Sequence, residues 1–269
     1  MDQTMVRFDE PYARTNDIAG KSTIRITNTG CKKRGFTVAL AATASGHKLP
    51  AFVILKEPTG RIPPRVLKDL KVPHNVKVTC SFNGWMTTNL MESWLTRIWG
   101  PNEDDVRRLI ILDRASIHRT SSLQEKLKDL DTDLVLIPAG CTGLLQPAVV
   151  SWMAPFKSAL RREWAVFIRN KQKTLAGNLK RPTRQDVIGF VSAAWEAVTE
   201  EETISKSFKR CGISNALDGS EDGLFHTRLA EVNVGSVDND ITDELNEECV
   251  NLILDDDSDI SFNGFSDND

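Results

Sequence analysis

The last 52 residues, 218–269, carry 16 acidic side chains against a single base, Arg228. Such a run cannot bury enough apolar surface to offset the entropy of ordering it, so residues 214–269 are expected to be a disordered acidic tail. It closes on Asp255-Asp256-Asp257-Ser258-Asp259-Ile260-Ser261-Phe262-Asn263-Gly264-Phe265, where two aromatic rings stand in a polar segment as bait for a partner. Val250-Asn251-Leu252-Ile253-Leu254, preceded by Ile241 and Leu245, is the stretch of the tail that could become a short amphipathic helix on binding.

The tail also masks the character of the body. The whole chain has a formal charge of −3, and with −15 assigned to the tail, residues 1–217 carry +12. A basic body joined to an acidic arm reads either as a polyanion-facing domain with a separate interaction segment or as a solvated surface with an inert tail. About 210 residues are enough for one domain with a sizeable core. Five dispersed cysteines (Cys31, Cys80, Cys141, Cys211, Cys249) and four dispersed histidines argue against a zinc site or a disulfide framework and for a reducing compartment. No basic-then-apolar leader opens the sequence, and runs such as Leu109-Ile110-Ile111-Leu112 are too short to span a bilayer, so no membrane association is expected.

Strand signals dominate the first half. Residues 22–29, 35–43 and 49–55 are alternating or apolar segments separated by Gly-containing turns, which suggests an antiparallel meander, and 76–80 is a further short strand. Thr87 is placed to cap a helix that Gly100-Pro101 stops at Trp99. Residues 108–112, 123–130 and 134–137 read as strand, helix and strand, a βαβ crossover with parallel strands. Helices are expected over 150–173, 184–198 and 201–211. Strands first, βαβ next and helices last give an α/β class with a mixed sheet flanked by helices; an RNase H-like fold fits the order, although order alone does not select it.

Asp113 stands at the tip of the apolar strand, a position common to metal ligands, catalytic acids and ordinary turns alike. Asp2 is a second acid in an apolar-flanked, strand-like segment. Asp2-Gln3-Thr4, then Leu112-Asp113 with His118 after four intervening residues, then Leu145-Gln146-Pro147 and Ala154-Pro155-Phe156-Lys157, taken in order, resemble the DDE domain of pogo/Tigger-type transposases. Ala194-Trp195-Glu196-Ala197-Val198-Thr199 and Ile204-Ser205-Lys206-Ser207-Phe208-Lys209-Arg210-Cys211-Gly212-Ile213 resemble that family's closing helices, so the likeness covers about residues 1–213.

The resemblance implies an RNase H-like fold, a nuclear location and descent from an enzyme that cuts and rejoins DNA with two divalent cations. Two magnesium ions roughly 4 Å apart clamp the attacking and leaving oxygens, and converging carboxylates must hold both. By resemblance Asp2 and Asp113 supply two of these, and the third belongs two residues after Leu145-Gln146-Pro147, where Val149 stands. The next acid downstream, Glu163, would lie roughly 21 Å further along a continuous helix at 1.5 Å per residue. Asp2 is so close to Met1 that most of its strand is expected to be absent, as in a fragment or a gene product begun at an internal methionine. The site is therefore expected to be vestigial, with no bound metal, no cofactor and no turnover. The alternatives are an active endonuclease completed by an unrecognised acid and a mobile-element remnant without function. His118 either follows the family's pattern or is simply a polar residue at a helix start.

Residues 157–184 hold nine bases, Lys157, Arg161, Arg162, Arg169, Lys171, Lys173, Lys180, Arg181 and Arg184, against Glu163, with Trp164 and Phe167 interleaved. This segment reads either as a phosphate-gripping DNA surface without sequence preference or as a solvated face whose aromatics pack inward. Lys32-Lys33-Arg34 is a smaller basic patch, while Trp152, Trp164 and Trp195 are expected to anchor the core. Phe262-Asn263-Gly264-Phe265 after an acidic run resembles the Phe-x-Gly-Phe motif that ligands present to the integrase-binding domain of lens-epithelium-derived growth factor, a chromatin tether. In that resemblance Gly264 permits the turn, Phe262 and Phe265 fill apolar pockets, and Asp255, Asp256 and Asp257 face a basic rim. The body and tail together resemble the C-terminal part of a pogo-derived protein with zinc fingers upstream. The expected partners are thus DNA and chromatin proteins.

Overall fold

A computed structural model describes residues 1–8, 35–101, 106–170 and 181–225. The predicted strand at 22–29, the Lys32-Lys33-Arg34 patch, Lys171, Lys173, Lys180 and the tail motif with Phe262, Gly264 and Phe265 lie outside them. Six strands and seven α-helices are described, in the order β1 (Asp2–Arg7), β2 (Gly35–Leu40), β3 (Ala51–Lys56), α1 (Pro64–Asp69), β4 (Val76–Ser81), α2 (Thr88–Trp94), β5 (Arg108–Leu112), α3 (Ser121–Asp129), β6 (Thr132–Leu136), α4 (Thr142–Leu145), α5 (Met153–Asn170), α6 (Arg184–Glu196) and α7 (Lys206–Arg210). Among the described residues, no helix is long and apolar enough to cross a membrane.

The first four strands form one mixed sheet in the order β1-β2-β3-β4. β1 and β3 run antiparallel to β2, and β4 runs parallel to β3. The two later segments of the expected meander pair antiparallel as β2 and β3, and Asp2–Arg7 pairs antiparallel with β2 on its other side. The expectation that Asp2 lacks most of its strand is corrected here: it opens a six-residue strand in full register with β2, from Asp2 opposite Leu40 to Arg7 opposite Gly35. β5 and β6 pair in parallel through α3, as the βαβ reading required. The Met1 ammonium donates to the Ile111 carbonyl at 3.3 Å, which sets the start of β1 against the end of β5.

The sheet is apolar on both sides because both are covered. Val38, Leu40, Val53 and Leu55 pack beneath Trp152, Phe156 and Leu160, with Val187, Val191 and Trp195 completing that layer. Ala39, Phe52, Ile54, Ile110 and Leu112 pack beneath Met91, Trp94, Leu123 and Leu127 on the other side. Alternate residues of the same strands feed the two cores, as the two-residue pleat dictates, and the strands read as nearly continuous apolar runs for that reason. Trp152 and Trp195 are buried anchors as expected. Their indole N–H groups donate to Ser207 Oγ (2.8 Å) and the Leu49 carbonyl (2.9 Å).

Helix ends follow their local chemistry. Thr87 accepts from the Leu90 N–H at the start of α2, and Thr183 forms a reciprocal capping box with Asp186 on α6. Past α2 the chain widens into a π-helical turn, Leu95–Trp99, ended by Gly100 at φ +71°, a backbone state that glycine alone adopts without strain. The described chain continues past residue 213, where Glu221 is tied back to the Lys209 ammonium, the Asn215 amide and the Ala216 N–H.

Candidate active site and basic face

Asp2 and Asp113 come together because β1 begins where β5 ends. Asp2 shares a sheet face with its partner Leu40, whose side chain belongs to the core under α5. Burial pushes the Asp2 carboxyl up to about 6; the negative charge of Asp113 adds to this, while the Gln3 N–H, the Met1 ammonium and the Gln146 amide oppose it. Asp113 moves the other way. Burial disfavours its charge, but the hydrogen bond and charge of His118, joined by the Ala115 N–H, hold its pKa below the ordinary aspartate value. Two neighbouring carboxyls with pKa values driven apart are the kind of arrangement found where proton or metal chemistry is done.

His118 is the link that spacing alone could not assign. It lies in the 3-10 turn Ser116–Arg119 and is 2% exposed. Its Nδ1 is 2.6 Å from Asp113 Oδ1 and 3.1 Å from the Asp113 carbonyl, and its Nε2 is 3.5 Å from Gln3 Nε2. With Nδ1 against the Asp113 carboxylate and Nε2 facing the Gln3 amide, the ring bridges β5 and β1. The plain alternative, a polar residue at a helix start, is corrected. That work falls to Thr120, whose hydroxyl accepts from the Leu123 N–H at 3.4 Å to start α3.

The third position sits on the turn that follows α4. Gln146 is 2% exposed; its amide nitrogen donates to the Met1 carbonyl at 3.2 Å, and its Oε1 is buried with no hydrogen-bond partner. Val149 lies just beyond, in the π-helical turn Ala148–Trp152 that leads into α5, and is partly buried. The Ser151 hydroxyl of that turn is a second buried polar atom without a partner. Hard divalent cations take oxygen ligands: Asp2 and Asp113 offer carboxylates, Gln146 an amide oxygen, and Val149 nothing. Among the described residues, no group of three or more His, Cys, Asp or Glu side chains is placed to hold a metal ion.

The basic segment divides on folding. Arg162 and Arg169 are exposed on α5, and Lys157 and Arg161 are half-buried at its margin; Arg181 is exposed just before α6. Arg184 departs from the DNA-facing expectation. It is 1% exposed, and its Nε and Nη2 reach Glu57 Oε1 and Oε2 at 2.7 and 3.0 Å, a bidentate pair buried between α6 and the end of β3. Trp164 stacks on Phe167 (centroids 5.2 Å apart, 19° between planes), and both meet Phe190 of α6 edge-on. These rings join α5 to α6, which is the inward-packing reading.

Comparison with known proteins adds to this geometry. Residues 33–208 match the family described as DDE superfamily endonuclease, a span that takes in Asp113, Gln146 and Val149. The proteins named "Pogo transposable element with KRAB domain" from human and mouse are each 30% identical over 229 residues, covering 83% of this chain and 36% of the relative. The human "Pogo transposable element with ZNF domain" is 25% identical over 129 residues, covering 47% of this chain and 9% of that protein. The chain thus spans about a third of the length of the first two relatives, at 36%. No solved structure matches.

Proposed function

The chain belongs to the DDE superfamily endonucleases, in its pogo-type branch, and from that premise we propose that it serves as a domesticated, transposase-derived scaffold on nuclear DNA whose cleavage site is silent. Its residues 1–213 form the DNA-associated body and 214–269 the recruiting arm. Val149 carries this reading. A two-ion displacement needs ligands enough to hold both cations, and a valine in the turn after Gln146 leaves Asp2 and Asp113 as the converging acids. Asp113 is further committed to His118 at 2.6 Å. In an intact site the ions would polarise the scissile phosphate and activate the attacking oxygen. Here the described residues hold two carboxyls in different protonation preferences and place no third beside them.

The test is incubation of purified protein with supercoiled plasmid in magnesium or manganese. No nicking above buffer is expected; nicking that disappears in Asp113→Ala would overturn the silent site. The second reading, an active metal-dependent endonuclease, is favoured by one observation, the unpartnered Gln146 Oε1 beside Asp2. It requires nicking that is lost in Gln146→Leu.

DNA association rests on Arg162, Arg169 and Arg181, exposed on and beside α5. Recruitment rests on Phe262-Asn263-Gly264-Phe265 and the preceding acids. The partner is the integrase-binding domain of lens-epithelium-derived growth factor, with the rings as hot spots and Asp255, Asp256 and Asp257 steering the encounter. Calorimetry of the chain against that domain should show binding abolished by Phe262→Ala with Phe265→Ala. Asparagine at the three aspartates should weaken it and flatten its salt dependence. Undiminished affinity in the double alanine variant would reduce the motif to a coincidence.

A further inference from the structure

Two large aromatic side chains stand in solvent on one short loop. Phe82 is 72% and Trp85 48% exposed, in the turn that follows β4. Exposed apolar residues scattered singly are ordinary, but two rings on one constrained loop call for a cause. The loop is built rather than loose. Asn83 Oδ1 accepts from the Trp85 N–H at 3.1 Å, and Ser81 Oγ donates to the Trp85 carbonyl at 2.9 Å. Gly84 adopts φ +81°, and a Cβ there would come within 3.1 Å of the Lys56 Cβ. The backbone that carries the rings is therefore held in place before anything binds, which lowers the entropy cost of using them.

Their surroundings are basic. The β3–β4 register pairs Lys56 with Ser81, and the next loop folds back so that the Gly60 N–H bonds the Glu57 carbonyl and Cys80 Sγ donates to the Gly60 carbonyl. Arg61 and Arg65 follow directly and are exposed, at the same end of the sheet as the rings. Among the described acids near this end, Glu57 is paired with Arg184 and Asp186 is bonded to Thr183. Exposed Asp69 lies at the far end of α1.

We propose that the loop at 81–85, with Arg61 and Arg65, is a stacking site for unpaired nucleotides. A pair of rings on a constrained loop meets the faces of bases only where those bases are not already stacked in a duplex, and guanidinium groups at the same end of the sheet match the phosphates that connect such bases. The site lies at the end of the sheet opposite Asp2, and it uses none of the cations of α5. Protein partners also use exposed aromatics; the exposed arginines, with Glu57 already paired to Arg184, favour the polyanion.

The probe is an oligodeoxythymidine of about ten nucleotides, titrated into the full chain and followed by anisotropy and tryptophan fluorescence, with a duplex of equal length beside it. Phe82→Ala with Trp85→Ala should weaken the unpaired strand roughly 10- to 100-fold while leaving duplex affinity within about twofold. Phe82→Tyr with Trp85→Phe should retain strand binding and remove most of the fluorescence quenching. Arg61→Gln with Arg65→Gln should lower the strand's salt slope by about 1 to 2. Phe82→Ala alone gives the same reading should the double variant lose its circular dichroism. Absence of strand binding by the natural chain, or unchanged affinity in the alanine variants, overturns the proposal and leaves the rings to a protein. The duplex arm reports on the α5 face, so failure there and failure here are told apart.

Discussion

The two ends of the mixed sheet bury charge in opposite ways. At one end Glu57 and Arg184 form a bidentate ion pair, 2% and 1% exposed, with their charges answered by each other. At the other, Asp2 and Asp113 set like charges together, Gln146 Oε1 and Ser151 Oγ lack partners, and His118 bridges one acid to the neighbouring strand. A satisfied buried pair fixes a packing arrangement. Like charges set beside unpartnered polar atoms cost stability and persist in a fold that was organised around something that could answer them. Distance from solvent is therefore a poor guide to role here, and the state of the partners is a good one.

The largest effect comes from breaking the satisfied end. Arg184→Met or Glu57→Gln leaves a buried charge without its counterpart and should cost about 3–5 kcal/mol in urea unfolding. Replacing both at once, Glu57→Leu with Arg184→Met, should recover most of that loss, because the desolvation of two ions is removed along with their attraction. If either single change costs less than about 1 kcal/mol, water reaches the pair and the contrast between the two ends fails.

A smaller, pH-dependent effect is expected at the unsatisfied end. Asp2 is raised from 3.8 to about 6, so between those values the folded chain holds a proton that the unfolded chain has released. Stability from this group therefore falls as pH rises through that window and is lowest above about 6. Asp2→Asn removes the dependence, and relative to the natural chain it should gain on the order of 1–2 kcal/mol between pH 4 and pH 8. Asp113 has the opposite sign: its lowered pKa stabilises the fold above the ordinary carboxylate range, and that contribution is lost on acidification. Asp113→Asn should therefore destabilise at neutral pH. Thermal unfolding across pH reads both, and parallel pH profiles for the two variants would show that the carboxyls do not differ.

How much of this was legible depended on whether the information was local. Strand β5, helix α3 and strand β6 announce themselves by apolar runs and turn residues, and their parallel pairing follows from the crossover length. Asp113 and the Val149 position could be read from ordered motifs. The partnership of Arg184 with Glu57, 127 residues away in sequence, could not, because a base in a basic run carries no mark of burial. His118 was ambiguous for the same reason, its two bonds depending on where β1 lies. α1 has no buried residue and hence no apolar stripe to read. The π-helical turns at Leu95–Trp99 and Ala148–Trp152 are register adjustments that residue propensity does not encode. Asp2 was read in a strand-like segment but misjudged as lacking most of that strand because it stands next to Met1; the residues after it suffice, since β1 is held by six paired positions on β2.

The smallest effect on stability separates the remaining bases from Arg184. Arg162 and Arg169 are exposed on α5, so exchanging both for glutamine removes charge without emptying the core. Unfolding free energy should shift by no more than about 0.5 kcal/mol, the range of ordinary surface substitutions. Their contribution to duplex binding has a different signature. Each phosphate neutralised releases counterions, so losing two contacts should lower the slope of log affinity against log salt by about 2 while binding weakens at every DNA sequence alike. Truncation of residues 218–269 should act in the opposite direction: removing a net charge of −15 frees the basic body and tightens binding most at low salt. Titrating duplex at two salt concentrations, with and without the tail, distinguishes the terms. A slope unmoved by the two glutamines would assign these arginines to solvent, and the phosphate-facing surface would then have to be sought elsewhere on the body.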